Sequence, residues 1–203
     1  MAPVAVLGHE KDYGDISVPL LDMASAEIER MRAASTKESH YHSFPPACLS
    51  LLKSVDGNHR CVDCGDHDPQ WATVSFGALL CLQCSGHHRS FGVQVSCVRS
   101  ITMDEWSLQQ VIAMLEGGNS QLYGFFSRHA LSVEACPGGI NGKRIITKEN
   151  VTRLRYKTKA AEFYRQQLDL HVSNVLEHGR YRGRAQSRRL RHRSLDQRNS
   201  TIE

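Results

Sequence analysis

The chain has 203 residues, of which 40% are apolar, and a formal net charge of +4. This length suits one compact domain with flanking tails. No run approaches the roughly 18 apolar residues that a membrane-spanning helix requires. The apolar stretch at residues 1–9 is too short for a secretory signal. We therefore expect a cytoplasmic protein without a membrane span.

The positive charge is concentrated at the C-terminal end. From Glu177 onward eight arginines face three acids, whereas the preceding residues hold 17 basic and 18 acidic side chains. Because the main part is close to neutral, we expect no DNA partner. The predicted organisation is a disordered N-terminal extension over residues 1–43, a domain over 44–176 and an Arg-rich disordered tail over 177–203.

The predicted extension shows little hydrophobic periodicity. The exception is Leu20 to Ala34, where Leu21, Met23, Ile28 and Met31 lie among charged residues. This pattern is compatible with a short amphipathic helix. For the segment as a whole we predict a partly helical tail outside the domain.

The first part of the domain is predicted to contain a short helix, short strands and a second helix start. Two prolines before three leucines predict a short helix within residues 43–54. Residues 71–80 are rich in aromatic, β-branched and small side chains, which predicts short strands. Thr102 and Glu105 have the spacing of a capping box, which predicts a helix start that Gly117 and Gly118 would terminate.

The later elements are predicted to be helical. Asn119 is placed to cap a further helix, and residues 135–147 contain the Pro, Gly and Asn combinations of a loop. A longer helix is predicted from Lys148 to about Leu176, with Gly179 as its stop. The expected fold class is α+β and mostly α-helical, with a short three-stranded sheet surrounded by helices.

Four of the seven cysteines have a regular spacing. Cys61, Cys64, Cys81 and Cys84 follow the pattern C-x2-C-x16-C-x2-C, which is typical of a zinc site. Four thiolates close a tetrahedron at about 2.3 Å per Zn–S bond and leave no open position. The sequence therefore predicts one structural Zn²⁺ that stabilises the fold and does not activate water.

Other interpretations of this region remain open. The cysteines could be buried thiols, and His59, His67, His87 and His88 are nearby alternative ligands. A zinc deaminase is disfavoured, because the His-x-Glu and Pro-Cys-x-x-Cys signature is absent. The remaining cysteines lack paired partners and are predicted to be small buried apolar groups; they are Cys48, Cys97 and Cys136.

The residues around the cysteines are more specific than the cysteines alone. They read WATVSFG from Trp71, CLQCSGHHRSFG from Cys81, VRS from Val98 and YKTKAAEFYR from Tyr156. This combination resembles the catalytic domain of Arf GTPase-activating proteins, whose pattern is C-x2-C-x16-C-x2-C-x4-R. The resemblance runs from about Phe44 to Leu170, and Arg89 stands at the arginine of the pattern.

The resemblance implies a function and its residues. It implies that Arg89 is an arginine finger supplied in trans to an Arf-family GTPase in its GTP form. Trp71 would form the surface beside the arginine, although packing is its first expected role. Arg99 could contact acidic groups on the GTPase or pair internally with Asp104 or Glu105. The implied protein is a GTPase activator and not an enzyme by itself.

The same resemblance implies a role in vesicle-mediated transport. A cytoplasmic protein in peripheral association with Golgi or other trafficking membranes is expected. The Arg-rich tail could add attraction to an anionic membrane surface, or it could be a solvated extension. Ser194, within a run of arginines, resembles a site for a basophilic kinase.

Elementary chemistry gives Arg89 a mechanism. A guanidinium is planar, always charged and able to bind two phosphoryl oxygens at once. If a helix begins at the second cysteine pair, Arg89 lies about 7–8 Å of axial rise beyond Cys84. The metal would then anchor the segment that carries the arginine. The alternative interpretation of Arg89 is an ordinary surface arginine.

Two other functions remain as alternatives. One is a zinc-finger DNA-binding protein with a basic tail, which strong salt-dependent binding to duplex DNA would support. The other is a degenerate domain that binds the GTPase without activating it.

Overall fold

The computed structural model describes residues 17–34, 42–131 and 154–189. Helices surround a small antiparallel sheet, and one hydrophobic core runs through all the described segments. The predicted α+β, mostly helical fold class is confirmed. Among the described residues no helix is long and apolar enough to cross a bilayer.

The first helix is a correction to the predicted N-terminal extension. Helix α1 spans Ser17–Ala34, and its residues Ala24, Ile28 and Met31 are buried in the core. These side chains recur at spacings of four and three residues, so they share one helix face. Because this face packs on α2 and α4, the segment belongs to the domain and is not a separate tail.

Helix α2 spans Pro46–Ser54 and confirms the predicted opening helix. Its N-cap residue, Pro45, offers no side-chain acceptor to the unpaired N–H groups of the first turn. The Glu27 carboxylate of α1 accepts the Cys48 N–H at 2.9 Å instead. An acid at this position also complements the positive end of the helix dipole.

The sheet contains three short strands, β1 (Trp71–Thr73), β2 (Ala78–Leu80) and β3 (Val98–Ser100). Their order is β2-β1-β3 with antiparallel pairing, and Trp71 lies opposite both Leu80 and Ser100. A 3-10 turn at Val74–Phe76 joins β1 to β2. Residues 71–80 thus form the strands that their composition predicts.

Two glycines permit a close crossing beside this turn. The carbonyl of Gly77 accepts the N–H of Gly118 at 2.7 Å. A Cβ at Gly117 would lie 2.3 Å from the same carbonyl oxygen, and Gly77 itself has a left-handed φ of 59°. The end of the helix at Leu108–Glu116 can therefore approach the sheet only because these positions carry no side chain.

Helix α3 spans Leu82–Arg89, and helix α4 spans Leu108–Glu116 and begins later than predicted. The capping box of α4 consists of Ser107 and Gln110, not of Thr102 and Glu105. The N–H of Thr102 instead donates to the Ser100 hydroxyl at 3.3 Å, which places Thr102 in the turn after β3. Helix α5 comes next at Asn119–Arg128, and the predicted glycine stop between the two helices is confirmed.

Helix α6 spans Lys159–Glu177. Residues 148–153 of the predicted helix lie outside the described residues, while residues 154–155 are helical and a turn at 156–158 separates them from α6. The Thr158 hydroxyl accepts the Ala161 N–H at 3.2 Å and defines the helix start. The predicted helix end near Leu176 is confirmed by the bounds of α6.

The segment after α6 also departs from its prediction as far as it is described. Tyr181 is buried, and its carbonyl accepts a hydrogen bond from the Ser25 hydroxyl at 2.7 Å. Arg32 donates to the carbonyls of Leu176 and Gly179 at 2.8 Å each. Residues 184–189 form a helical turn. The predicted domain boundary at residue 176 therefore falls within packed structure, because α1 provides partners for the residues beyond it.

Candidate metal and arginine site

The four predicted ligand residues converge. The sulfur atoms of Cys61, Cys64, Cys81 and Cys84 all lie within 4.8 Å of one another. Sulfurs on a tetrahedron with Zn–S bonds of about 2.3 Å would be about 3.8 Å apart. The arrangement therefore fits a metal ion with four thiolate ligands.

Local backbone structure positions each pair. The first pair lies in a turn in which the Gly65 N–H donates to the Cys61 carbonyl at 2.9 Å. The second pair begins helix α3: Cys81 is its N-cap, and the Cys81 sulfur accepts the Cys84 N–H at 3.5 Å. Two cysteines of the cluster thus lie at the start of the helix that ends at Arg89.

The electrostatics of the cluster reflects the crowding of four thiols. Hydrogen bonding from Cys84 lowers the pKa of Cys61 to about 5, although burial opposes this shift. The same hydrogen bond raises the pKa of Cys84, and burial raises that of Cys64 to about 11. One thiolate is thus stabilised at the expense of its neighbours, whereas a bound cation would stabilise all four.

The prediction that Asn119 caps α5 is wrong, and its side chain instead joins distant backbone segments. It is the first residue of α5, after the N-cap Gly118, and it is buried. Its side-chain oxygen accepts the Leu79 N–H at 2.7 Å, and its amide group donates to the Arg60 carbonyl. Asn119 thereby joins β2 to the backbone just before the first cysteine pair. In the sequence, the position of Asn119 before a helical pattern indicates only a helix N-cap.

Arg89 and Trp71 lie together beside the cysteines. Arg89 is exposed at the end of α3, and its guanidinium carbon lies 4.5 Å from the ring centre of Trp71. The half-buried Trp71 ring packs against the buried cluster that contains Cys61, Cys81 and Cys84. The tryptophan therefore packs internally, which is its first expected role, and its ring also lies against the arginine.

Arg99 occupies a different place. It lies on β3 opposite Ala72 and is half-buried. Asp104 accepts the Ser100 N–H at 2.6 Å, and Glu105 lies near His42, so within the described segments neither pairs with Arg99. The internal ion pairs considered for Arg99 are therefore wrong. Within the described residues, no ion pair or side-chain hydrogen bond links Arg99 to Arg89 or Trp71.

Comparison with known proteins decides the family. Residues 47–171 match the ArfGap family model, which describes GTPase activating proteins for Arf. The chain belongs to the ArfGap family. The matched range contains the four cysteines, Trp71, Arg89 and Arg99, whereas α1 and residues 172–189 lie outside it.

Individual relatives agree with this assignment. The ADP-ribosylation factor GTPase-activating protein GCS1 of Saccharomyces cerevisiae is 45% identical over 85 residues, covering 42% of this chain and 24% of that protein. ADP-ribosylation factor GTPase-activating protein 3 of Mus musculus is 38% identical over 123 residues, covering 60% of this chain and 20% of that protein. The chain thus spans about a quarter or less of the length of these relatives.

A solved structure supports the fold. The chain resembles a GTPase activating protein for ADP ribosylation factor from Cryptosporidium parvum, with a TM-score of 0.51 and 28% identity. The similarity covers 62% of this chain and 88% of the other.

The histidines of the ArfGap domain are not part of the cysteine cluster. Among the described residues the only group of metal-ligand type is formed by the four cysteines, and His59, His67 and His87 are exposed. His88 is fully buried and lies 3.0 Å from Asp63, one of the two residues between Cys61 and Cys64 in the chain. Sequence spacing alone offers no signal for this pair, since 25 positions separate its members.

Proposed function

We propose that the ArfGap domain of this chain accelerates GTP hydrolysis on an Arf-family GTPase, with Arg89 supplied in trans. The observation that carries the proposal is the placement of Arg89. It is exposed at the end of a helix whose start holds two cysteines of the cluster, and its guanidinium lies on Trp71. An arginine held at its backbone and along its side chain loses less conformational freedom on docking.

The chemistry suits phosphoryl transfer. Hydrolysis of GTP develops negative charge on the phosphoryl oxygens, and a planar guanidinium can bind two of them. An arginine supplied in trans is worth about 10³–10⁵ in rate in GTPases of this kind. On this proposal the chain contributes a residue to the active site of its partner and has no complete active site of its own.

The metal is proposed to be one structural Zn²⁺ held by Cys61, Cys64, Cys81 and Cys84. Four sulfur ligands select zinc or a similarly soft ion over the hard cations that prefer oxygen. When bound, the ion would crosslink the turn before β1 to the start of α3 without taking part in hydrolysis. The fit of the sulfur spacing to a tetrahedron supports this proposal.

The docking surface is proposed to surround Arg89. Leu82 is exposed and precedes Arg89 by seven residues on α3, which places both on one helix face. An exposed leucine beside an exposed arginine suits a protein partner better than solvent. Arg99 is proposed to contact acidic groups at a separate point of the partner.

Membrane association is proposed for the basic C-terminal end. Arg180, Arg182 and Arg189 are exposed, whereas Arg184 is partly buried and donates to Gln121 at 3.1 Å. The exposed arginines would contribute about 1 kcal/mol each near an anionic surface. The protein is proposed to be cytoplasmic and to act on Golgi or other trafficking membranes. A GTPase on such a membrane would then meet its activator there.

The test is GTP hydrolysis by Arf-family GTPases on anionic liposomes, with wild type compared against Arg89→Lys. Lysine keeps the charge and loses the bidentate geometry. We expect the wild type to accelerate hydrolysis by about 10³-fold or more and the variant to lose most of this effect. The matched control is Arg60→Lys, an exposed arginine directly before Cys61 in the chain. If no GTPase of the panel responds to the wild type, the proposal is wrong.

A further inference from the structure

A chain of buried polar side chains passes through His88, the residue before Arg89. The Nε2 atom of His88 lies 3.0 Å from Asp63 Oδ2, and its Nδ1 atom lies 2.8 Å from the Ser96 hydroxyl. The Ser96 hydroxyl lies in turn 2.8 Å from the Thr73 hydroxyl. All four side chains are almost fully excluded from solvent. The chain therefore connects β1, the loop after Arg89, α3 and the first cysteine pair.

The segment before α6 completes the environment of Asp63. Arg155 and the Tyr156 hydroxyl both donate to Asp63 Oδ1, the latter at 2.6 Å. Arg155 is itself 3% exposed, and its guanidinium forms an ion pair with the Asp63 carboxylate. An ionised carboxylate only accepts hydrogen bonds. His88 therefore donates from Nε2, whichever partner donates at Nδ1.

The ring of His88 is also enclosed by aromatic side chains. The Tyr156 ring packs on it edge-to-face at 4.4 Å between centroids, and the Phe91 ring lies at 5.0 Å. Hydrogen bonds at both ring nitrogens and rings at its sides leave His88 a single orientation. A fully satisfied buried network of this kind specifies one arrangement of the elements that it joins.

We infer that Asp63 and His88 form a positioning pair that fixes the direction in which Arg89 leaves helix α3; this inference rests on the proposed function. The start of α3 is held by Cys81 and Cys84, but α3 has only eight residues, and a helix end without tertiary contacts frays. His88 ties this end to the backbone between two cysteine ligands. Both ends of the short helix are thus positioned relative to the same cysteine cluster.

The expected importance of this pair comes from the geometry of catalysis. The guanidinium must reach the transferring phosphoryl group in a defined orientation, and a misplacement of about 1 Å can cost about 10²-fold in rate. Consecutive Cα atoms are about 3.8 Å apart, so a small rotation of His88 would move the Arg89 backbone directly. His88 does not need to contact the GTPase to have this effect.

The first experiment compares His88→Phe and His88→Gln. Phenylalanine fills the aromatic enclosure without hydrogen bonds, whereas the glutamine amide can still donate to Asp63. We expect His88→Phe to lower kcat about 10²-fold with KM for the GTPase within about threefold, and His88→Gln to recover much of the loss. The matched control is His87→Gln, which changes the exposed neighbouring histidine. Equal kcat in wild type and a zinc-loaded, folded His88→Phe would overturn the inference.

A double-mutant cycle separates positioning from general damage. If His88 acts through Arg89, His88→Phe should reduce kcat little further in an Arg89→Lys background. Losses that multiply would contradict the inference, as would a rise in KM with unchanged kcat. Should His88→Phe fail to fold, Ser96→Ala removes one of the two hydrogen bonds of His88 and is expected to show the same dependence on Arg89.

A measurement that needs no GTPase tests the inference independently of the proposed function. Trp71 is half-buried and carries the Arg89 guanidinium, whereas the other tryptophan, Trp106, is fully buried. Acrylamide quenching of tryptophan fluorescence therefore reports on Trp71. His88→Phe should increase this quenching and His87→Gln should not. If no GTPase responds to the wild type, the proposed function fails, while unchanged quenching in His88→Phe would reject the positioning role.

Discussion

At the scale of single residues, Trp71 has two contacts with different consequences. One side of its ring packs against the cysteine cluster, and its face carries the guanidinium of Arg89. A cation over an indole face gains about 0.5–1 kcal/mol at exposed sites. The first contact supports the fold, while the second restricts where the arginine points before a partner arrives.

Substitution of Trp71 should separate these contacts. Trp71→Leu keeps an apolar side chain and removes the aromatic face, so we expect kcat/KM for GTPase activation to fall about two- to fivefold. Trp71→Phe keeps a weaker aromatic face and should lose less. Single-turnover GTP hydrolysis measures both. A leucine variant as active as wild type would show that the stacking has no functional value.

Cys64 is the exposed member of the cluster and so the clearest test of metal binding. Cys64→Ser removes one of four soft ligands, and binding of zinc to small structural sites is worth about 10 kcal/mol or more. We expect the variant to lose its bound metal and to unfold at a lower temperature. Cys97→Ser, a half-buried cysteine outside the cluster, is the control. Elemental analysis and thermal unfolding report the result; one metal per chain in Cys64→Ser would contradict the ligand assignment.

At the scale of elements, the molecule depends on contacts that cap helices across the chain. Glu27 of α1 caps α2, and Arg32 of α1 donates to the carbonyls of Leu176, in the last turn of α6, and Gly179, just after it. The N-cap Pro45 of α2 has no side-chain acceptor of its own, whereas the end of α6 also has the His178 side chain on the Asn174 carbonyl. Helix α1 therefore connects the start of the family domain to the segment beyond its last helix.

Ile28 provides the test of this role. It is fully buried in the core, and truncation of a buried isoleucine to alanine costs about 2–5 kcal/mol. We expect Ile28→Ala to lower the free energy of unfolding by this amount. The control on the same helix is Met23→Ala, because Met23 is 60% exposed. Equal chemical denaturation of the two variants would mean that α1 does not belong to the folded unit.

At the scale of the whole molecule, α1 and residues 172–189 lie outside the family match. These two segments pack on each other. Tyr181 is buried beside α1, and the Gly183 backbone lies against Leu21. The match itself ends at residue 171. The folded unit is therefore larger than the family domain, and α1 joins that domain to the segment after α6.

Truncation tests this extension. A chain ending at residue 189 keeps Tyr181, whereas one ending at residue 179 exposes the surface that Tyr181 covers. Loss of a large buried aromatic side chain costs about 3–5 kcal/mol, so we expect a clear fall in Tm only for the shorter chain. If both chains melt at the same temperature, the segment after α6 contributes nothing to stability.

The sequence by itself determined the cysteine cluster, the position of the arginine beside it and the fold class. Cys-x-x-Cys pairs, Gly117 with Gly118, and Arg89 at a fixed distance from Cys84 are local patterns, and local chemistry constrains them strongly. The tertiary structure alone decided the place of Ile28, the start of α4 and the pairing of Asp63 with His88. The place of Ile28 and the pairing of Asp63 with His88 depend on partners farther along the chain, because burial and hydrogen bonding between separate segments leave no spacing in the sequence. The start of α4 is a local choice that spacing leaves open, since Thr102 and Ser107 both have suitable residues three positions later and the contacts of Ser100 distinguish them.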